Sequence, residues 1–340
     1  TFVKTGAALP AGAYTLTLES RSGAFADTHG RLLDGDADGT AGGHYLRSFT
    51  LAATTGATLS IPDFARGAGQ DVNLPATGSG LPVRITNAAL ASTVEFTLAY
   101  DPSLLEITGV SAAVAGASAS ADFSVAGQVR ISVTGLSGLT NATTDLVRLA
   151  ARVPDATIAS QYGAKQVLDL RDVRINGGAI AAIADDGVHV AAYLGDASGN
   201  AVYTSYDAQH VQRVLSRIDT GFGAYPTADP VIVGNAAGNG QLTIVDVRLI
   251  NQKVLALAQT AIPPTPGYPA ITYVGADPLV DLGRVEARSG DRVTVPVRLD
   301  TAAGLASVQL RLAFPADALE LVGVRLGSLT ADFQLLVVDR

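Results

Sequence analysis

The chain has 340 residues, a formal net charge of −8 and no cysteine, so disulfides contribute nothing to its stability. Its lysines and arginines form no cluster, which argues against nucleic-acid binding because phosphate contacts need clustered cations. No apolar run approaches the roughly 18 residues of a membrane-spanning helix. The many Gly, Ala and Val residues favour strands joined by tight turns, and the length predicts about two to four modules. The absence of methionine, even at position 1, predicts a piece of a longer protein.

Residues 1–60 combine two alternating runs with an acidic loop. The runs YTLTLES and YLRSFTLAA have the period of half-buried strands. Between them, LDGDADGT places aspartates at alternate positions, which is typical of a calcium loop because Ca²⁺ prefers oxygen ligands. The predicted ligands are Asp34, Asp36, Asp38 and Thr40, with Asp27 completing the shell. Three carboxylates predict tighter binding here than in the loops described below; the alternative is a solvated acidic turn.

Residues 61–192 predict a β-sandwich. About eight or nine strand-like segments follow one another, including STVEFTLAY, KQVLDLRDVRI and GVHVAAY, and turn residues separate them at the spacing of a sandwich. The predicted fold class of the whole chain is mainly β, with β-sandwich modules and a small α-helical module inserted between them.

Residues 193–260 predict two amphipathic helices, each preceded by a loop rich in Gly, Asn and Asp. The apolar residues of each predicted helix are spaced so that they lie on one face. These residues are Ala208, Val211, Val214, Leu215 and Ile218 in the first helix, and Val247, Ile250, Val254 and Leu257 in the second.

The first loop, DASGNAVYTSYD, has the length and the oxygen-bearing positions of a calcium loop of EF-hand type. Two features predict weak affinity: Ala201 stands where a glycine usually permits the sharp bend, and only two of the ligands are carboxylates. The predicted ligands are Asp196, Ser198, Asn200, the carbonyl of Val202, Thr204 and Asp207.

The second loop, NAAGNGQLTIVD, begins 39 residues later in the same frame. Asn replaces Asp at its first position and Ala237 cannot ligate, so its occupancy by calcium stays open. For both loops the alternative is a helix N-cap, because a carboxylate favours a helix start. The matched pair of loops and helices favours the metal-type origin. The predicted ligands of the second loop are Asn235, Asn239, Gln241, Thr243 and Asp246.

Residues 261–271, which contain IPPTPGYP, predict an extended linker because Pro-rich segments are semi-rigid. Residues 272–340 return to strand-like runs, DRVTVPVRLD, LASVQLRLAF, ALELVGVRLG and FQLLVVD. They repeat the sandwich at a constant offset of 214, at which ASVQLRLAFPADALELVGV matches STVEFTLAYDPSLLEITGV. The repeat predicts the first half of a second sandwich.

Residues 194–257 resemble a dockerin, a module of two calcium-loop–helix repeats with Asp at the twelfth loop position. Residues 62–192 resemble a cohesin module, chiefly through STVEFTLAYDPSLLEITGV, and residues 275–340 resemble the first half of another. Residues 1–55 resemble the end of a bacterial Ig-like surface repeat, through LPAGAYTLTL. The resemblance implies calcium as the cofactor, and protein modules of cohesin or dockerin type as partners, bound within the chain or between chains.

In dockerins, the residues just before the twelfth loop position help to choose the partner. The resemblance therefore implies a partner-binding set, and an exposed Ile-Val pair within it would form an adhesive apolar patch. The alternative is that these residues pack against the neighbouring β-module; in either case we expect them to be covered. They are Ser205, Tyr206, Ile244 and Val245.

The sequence predicts no catalytic set. It has no cysteine nucleophile, no zinc-type histidine spacing and no phosphate-binding loop. We expect a non-enzymatic extracellular structural or adhesion protein, stabilised by calcium and able to assemble into a surface filament. One alternative is a cellulosome-type scaffold that captures dockerin-bearing enzymes. The other is a carbohydrate-binding sandwich, although the chain has no tryptophan to build an aromatic strip.

Overall fold

The computed structural model describes residues 3–6, 8–21, 24–27, 29–53, 56–155, 161–266, 279–300, 314–315 and 318–327. Clustering of the chain gives two compact units, residues 1–268 and 269–340. The mainly β class predicted from the sequence is confirmed, with a β-sandwich and a small helical module in the first unit.

The alternating runs near the N-terminus form β1 (Gly12–Leu18) and β2 (Tyr45–Leu51), which pair antiparallel as a two-stranded sheet. The rings of Tyr14 and Phe49 stack across this pair with centroids 5.7 Å apart. The sandwich itself begins at Ala57, four residues before the predicted boundary, because residues 57–60 already pair with two other strands of the sandwich.

Two sheets form the sandwich. A five-stranded sheet has the order β12-β3-β5-β10-β7 and a six-stranded sheet the order β4-β13-β11-β6-β9-β8. The β12–β3 and β13–β4 pairs are parallel, and the other pairs are antiparallel. The strands are β3 (Ala57–Ser60), β4 (Phe64–Ala65), β5 (Leu81–Thr86), β6 (Val94–Ala99), β7 (Glu106–Ala112), β8 (Ser118–Asp122), β9 (Gln128–Thr134), β10 (Thr144–Arg152), β11 (Lys165–Ile175), β12 (Ala182–Asp185) and β13 (Gly187–Val190).

The main core lies between these sheets because successive side chains of a strand face opposite sides. In β6, Val94, Phe96 and Leu98 are buried, whereas Glu95 and Thr97 are only partly covered on the outer face. Burial of each such apolar side chain contributes about 1.5–3 kcal/mol to the free energy of unfolding. The period-two pattern that predicted the strands therefore also fixes which residues form the core.

The helical module contains α1 (Ser205–Leu215), α2 (Pro230–Gly234) and α3 (Ile244–Val254). The long helices α1 and α3 bury Ala208, Val211, Val247 and Ile250 of the predicted apolar faces. Val214, Leu215 and Val254 are half-buried, and Ile218 and Leu257 lie beyond the helix ends and are exposed. The helices stop because Arg217 and Ala256 turn into the left-handed region, with φ of 57° and 52°. The following amides then bond back to carbonyls of the last turn, which is a Schellman-type ending.

The helical module is attached to the edge of the six-stranded sheet. Ala65 of β4 and Val190 of β13 belong to one buried apolar cluster with Val211, Val247 and Ile250 of the long helices. The sandwich edge and the module therefore share a core rather than being joined by a flexible tether.

The chain that links β13 to the first loop is buried at this joint. Tyr193 is 0% exposed, and its ring lies so close to Gly67 that an added Cβ would be 2.2 Å from it. The predicted linker also packs back on the sandwich, since the Gln70 side-chain amide donates to the Pro264 carbonyl at 3.0 Å. The Tyr193 ring and the Gln70 side chain thus close the joint.

The second unit is described by β14 (Val280–Leu282) and β15 (Val297–Leu299), which pair antiparallel. The strand predicted from DRVTVPVRLD is therefore only three residues long. Residues 318–327, which contain the predicted strand ALELVGV, form no strand. The predicted strands at 305–313 and 333–339 lie outside the described residues.

We expect Phe96→Ala to lower the free energy of unfolding by about 3–5 kcal/mol, because it leaves a cavity between the sheets. The matched control is Phe123→Ala, since Phe123 is 40% exposed and should cost less than about 1 kcal/mol. Urea unfolding followed by circular dichroism measures both. Equal losses in the two variants would contradict the placement of Phe96 in the core.

Candidate calcium loops and docking surface

The first loop is organised around the carboxylate of Asp196, which is fully buried. Its oxygens accept hydrogen bonds from the backbone amides of Gly199 at 2.9 Å, Asn200 at 3.3 Å and Ala201 at 2.7 Å, and from the hydroxyl of Ser198 at 3.2 Å. The loop therefore wraps around its first predicted ligand.

Asp207 closes the loop from the other end. Its carboxylate accepts from the Ser198 amide at 2.9 Å and from the Thr204 amide at 2.7 Å, and Thr204 and Asp207 form the capping box of α1. The helix-cap geometry considered from the sequence is therefore present. The cap leaves room for a cation at Asp207, because each carboxylate oxygen has a second lone pair.

Tyrosine hydroxyls surround the start of the first loop. The Tyr225 hydroxyl donates to the Asp196 carbonyl at 2.8 Å, and the Tyr203 hydroxyl donates to the Leu194 carbonyl at 2.9 Å. The Tyr162 hydroxyl donates to the Asp196 carboxylate itself. Sequence reasoning missed these residues because Tyr162 is 34 positions away from Asp196 and no local pattern connects them.

Burial, the largest cause, and the neighbouring Asp207 raise the pKa of Asp196 to about 6, although the hydrogen bond from Tyr162 opposes the shift. In the described part of the chain, no ion pair joins Asp196 or Asp207 to a lysine or arginine. Two buried carboxylates beside each other, with no cationic side chain paired to them, fit a hard divalent cation such as Ca²⁺.

The second loop repeats the backbone of the first. The Asp246 carboxylate accepts from the Ala237 amide at 2.7 Å and from the Thr243 amide at 2.7 Å, as Asp207 does in the first loop. The Asn235 side chain accepts from the Asn239 amide at 3.2 Å, and Asn239 accepts from the Gln241 amide at 3.1 Å. This loop has one carboxylate, so it attracts a cation less strongly than the first loop does.

The sixth position differs between the loops. Ala201 takes a φ of 62° and Gly240 a φ of 79°, so both loops make the same left-handed bend. The bend costs an alanine about 1–2 kcal/mol. The first loop therefore makes without glycine the turn that usually requires one.

The acidic loop near the N-terminus brings the carboxylates of Asp34, Asp36 and Asp38 within 4.8 Å of one another. Asp38 accepts from the amide of Thr40 at 2.7 Å. Asp27 was predicted to complete this shell, but its carboxylate is not in this group. Its carboxylate instead accepts from the Arg31 backbone and pairs with the Arg31 guanidinium at 2.7 Å. In the described residues, these three aspartates are the one group of three acidic, His or Cys side chains close enough to share an ion.

The predicted partner-binding residues lie in the first turns of α1 and α3. Ser205 and Tyr206 are exposed, and Ile244 and Val245 are 66% and 39% exposed. Among the described residues of the first unit, the expectation that they are covered does not hold. The reason is that both helices turn other residues, such as Val211 and Ile250, toward the sandwich edge.

The outer face of the six-stranded sheet is a second open surface. Glu95 and Arg130 form an ion pair across β6 and β9 at 3.6 Å, and Thr97 and Arg174 line the same shallow depression. An exposed pair of this kind contributes little to stability. These polar side chains therefore remain available to contact another protein.

Residues 59–170 match the family model of the cohesin domain. The sandwich is cohesin-like. The match covers about a third of the chain and runs from β3 into β11. Cohesin domains are non-enzymatic protein–protein interaction modules, so the match favours an interaction role for this part of the chain. The match does not reach the helical module or the acidic loop.

Several solved structures are similar to about two fifths of the chain. A non-cellulosomal cohesin from the archaeon Archaeoglobus fulgidus shares 18% identity and a TM-score of 0.31, covering 40% of this chain and 90% of its own. A type I cohesin–dockerin complex from Clostridium thermocellum shares 12% identity with a TM-score of 0.32, and the match covers 41% of this chain and 97% of the other. CaCohA2 from Clostridium acetobutylicum shares 14% identity with a TM-score of 0.32, and the match covers 40% of this chain and 91% of the other. No curated protein sequence matches the chain.

Across the described ranges of the chain, no helix combines the length and the hydropathy needed to cross a bilayer.

A buried histidine lies where the cohesin-like sandwich meets the helical module. His189 is 0% exposed, and its ring stacks on Phe64 with centroids 4.7 Å apart. Nε2 lies 3.3 Å from the Arg66 carbonyl, which can only accept, so Nε2 carries the proton. Nδ1 then accepts from the Gln166 amide at 3.1 Å. Burial, the largest cause, lowers the pKa of His189 to about 4.

This burial predicts acid sensitivity. The unfolded chain binds a proton at His189 near pH 6.5, whereas the folded chain does so only near pH 4. The unfolded state therefore binds more protons between these values, and stability falls as the pH decreases. Relative to His189→Gln, we expect the wild-type chain to lose up to about 3 kcal/mol between pH 7 and pH 4. Urea unfolding at several pH values measures this; parallel curves for the two proteins would show that His189 is not the cause.

Proposed function

We propose that this chain is a non-enzymatic, calcium-stabilised structural or adhesion protein of the bacterial cell surface, in which the helical module of one subunit docks on another subunit. The observation that carries the proposal is the exposure of Ile244 and Val245 on a module whose opposite side is fixed to its own sandwich. An apolar pair that no part of its own module covers is a candidate contact for another chain.

The fixed joint favours docking between chains. The module uses Val211, Val247 and Ile250 to share a core with Ala65 and Val190 of its own sandwich. Residues in that core are committed, and the first turns of α1 and α3 lie outside it. A second chain is therefore the partner that these first turns fit.

The complementary surface that we propose is the outer face of the six-stranded sheet. The resemblance to cohesins implies that such a sheet receives dockerin-type helices, and its open face offers Glu95, Thr97 and Arg130 as polar contacts. A heterologous contact between this face and the helical module of the next copy does not close on itself. Repetition of such a contact generates a filament.

Calcium supports this function by stabilising the loops. In the first loop the proposed ligands are Asp196, Ser198, Asn200, Thr204 and Asp207 with the Val202 carbonyl, and in the second Asn235, Asn239, Gln241, Thr243 and Asp246. Low carboxylate number implies weak sites, with Kd of about 10⁻⁴–10⁻³ M. Such sites fill in extracellular millimolar calcium, which agrees with the proposed surface location.

We expect added CaCl₂ to raise the melting temperature of the full chain relative to a sample in EGTA, because calcium binds the folded state. At calcium of about 100 times Kd the gain is about 2.7 kcal/mol. Differential scanning calorimetry measures it, and no shift would remove the calcium part of the proposal.

Two variants separate the sites. Asp34→Ala should give the larger loss of calcium affinity by titration calorimetry, because it removes one of three clustered carboxylates. Asp196→Ala should give the larger loss of calcium-dependent thermal stabilisation, because Asp196 lies buried beside the shared core. The reverse pattern would contradict both assignments.

We expect Ile244→Ser combined with Val245→Ser to weaken self-association at least about tenfold, since both side chains lose apolar contact area with the partner. Sedimentation velocity over a concentration series in calcium measures the association. The matched control is Leu255→Ser, because Leu255 is also exposed, at 68%, but lies at the opposite end of α3. A wild-type chain that stays monomeric at all concentrations would end the self-assembly proposal.

The cohesin family match favours a second candidate, a scaffold that captures dockerin-bearing enzymes in trans. In that case the wild-type chain is monomeric, and a purified dockerin binds the outer sheet face. Arg130→Glu would then weaken dockerin binding and leave the melting temperature unchanged, which surface plasmon resonance and calorimetry distinguish.

A further inference from the structure

We infer that Tyr162 is a positioning residue that couples a cation in the first loop to the cohesin-like sandwich. This inference rests on the proposed calcium function of that loop. Of the three tyrosine hydroxyls that surround the loop start, Tyr162 alone bonds to the carboxylate of Asp196 and alone comes from the sandwich side of the joint.

Strand pairing in the sandwich fixes the position of Tyr162. The residue lies just before β11, whose first residue Lys165 pairs with Val190 of β13. The pairing continues one step further, because the Gly163 amide donates to the Ala191 carbonyl at 2.9 Å and the Ala191 amide donates to the Ala164 carbonyl at 2.8 Å. The backbone on both sides of the joint is therefore held by the same hydrogen-bond ladder.

The side chain of Tyr162 is held as firmly as its backbone. Its hydroxyl accepts from the Tyr193 amide at 2.9 Å while it donates to Asp196. The two rings meet edge to face, with centroids 5.7 Å apart. The hydroxyl thus bridges the Tyr193 amide, at the end of the sandwich, and the Asp196 carboxylate, the first predicted ligand of the loop.

An outer partner of this kind orients a metal ligand and raises its affinity for the metal. Thermodynamic linkage makes the effect reciprocal: if Tyr162 favours calcium at Asp196, calcium favours the docked position of Tyr162 by the same free energy. Calcium in the first loop should therefore stiffen the adjoining β11–β13 ladder of the sandwich as well as the loop itself.

The second loop provides an internal contrast. Its first residue, Asn235, accepts from the Asn239 amide within the loop, and among the described residues no sandwich side chain is bonded to its amide group. The coupling that we infer is consequently confined to the first loop. Calcium in the second loop should leave the β11–β13 ladder unchanged.

The test is calcium titration calorimetry on the full chain and on Tyr162→Phe, which keeps the ring and removes the hydroxyl. We expect Kd for calcium at the first loop to rise about tenfold in Tyr162→Phe. The matched control is Tyr203→Phe, which removes a tyrosine hydroxyl bonded to a carbonyl of the same joint; its Kd should change less than about twofold. A Kd for Tyr162→Phe within about twofold of wild type would overturn the inference.

Hydrogen exchange adds a readout in the wild-type chain that does not depend on any variant. In the wild-type chain, calcium should slow exchange of the amides of residues 163–168, and in Tyr162→Phe this protection should be lost. Absence of calcium-dependent protection in the wild-type chain would overturn the coupling even if calcium binds. Absence of any calcium binding by the wild-type chain would overturn the proposed calcium function together with this inference.

Discussion

The apolar core that the helical module shares with the sandwich edge decides which surfaces of this protein remain for function. Val190 ends β13, and the first loop begins six residues later, so the loop is held against the sheet from which it emerges. Because α1 and α3 turn Val211 and Ile250 into this core, the first turn of α3 presents Ile244 to solvent. The orientation of the proposed docking surface is therefore a consequence of packing elsewhere in the module.

Charge burial distinguishes the two loops although their backbones are alike. Asp196 and Asp207 are both buried, and charged groups in such a position need compensation from hydrogen bonds or an opposite charge. Backbone amides of the loop supply part of this compensation, and a divalent cation would supply more. The second loop carries only one carboxylate, that of Asp246, so it needs less compensation of buried negative charge. We infer that the loops have the same fold but different dependence on calcium.

The sequence predicted the elements whose pattern is local. Alternation gave the sandwich strands, and the spacing of Val247 and Ile250 gave the buried face of α3. Element ends were predicted less well, because Arg217 and Ala256 adopt left-handed backbone without any glycine to signal it. Residues 318–327 show the remaining limit, because their apolar pattern is typical of a strand and yet they form none.

By itself, the sequence determined the fold class, the two loops in matched frame and the positions of their oxygen-bearing side chains, because all of these depend on short-range spacing. Only the tertiary structure decided that Tyr162 reaches Asp196 and that Asp27 binds Arg31 instead of joining the acidic cluster. It also decided that Ile244 is exposed rather than covered. The physical reason is that spacing defines the faces of an element, whereas the partner of each face depends on the pairing of strands, such as β11 with β13, that are distant along the chain.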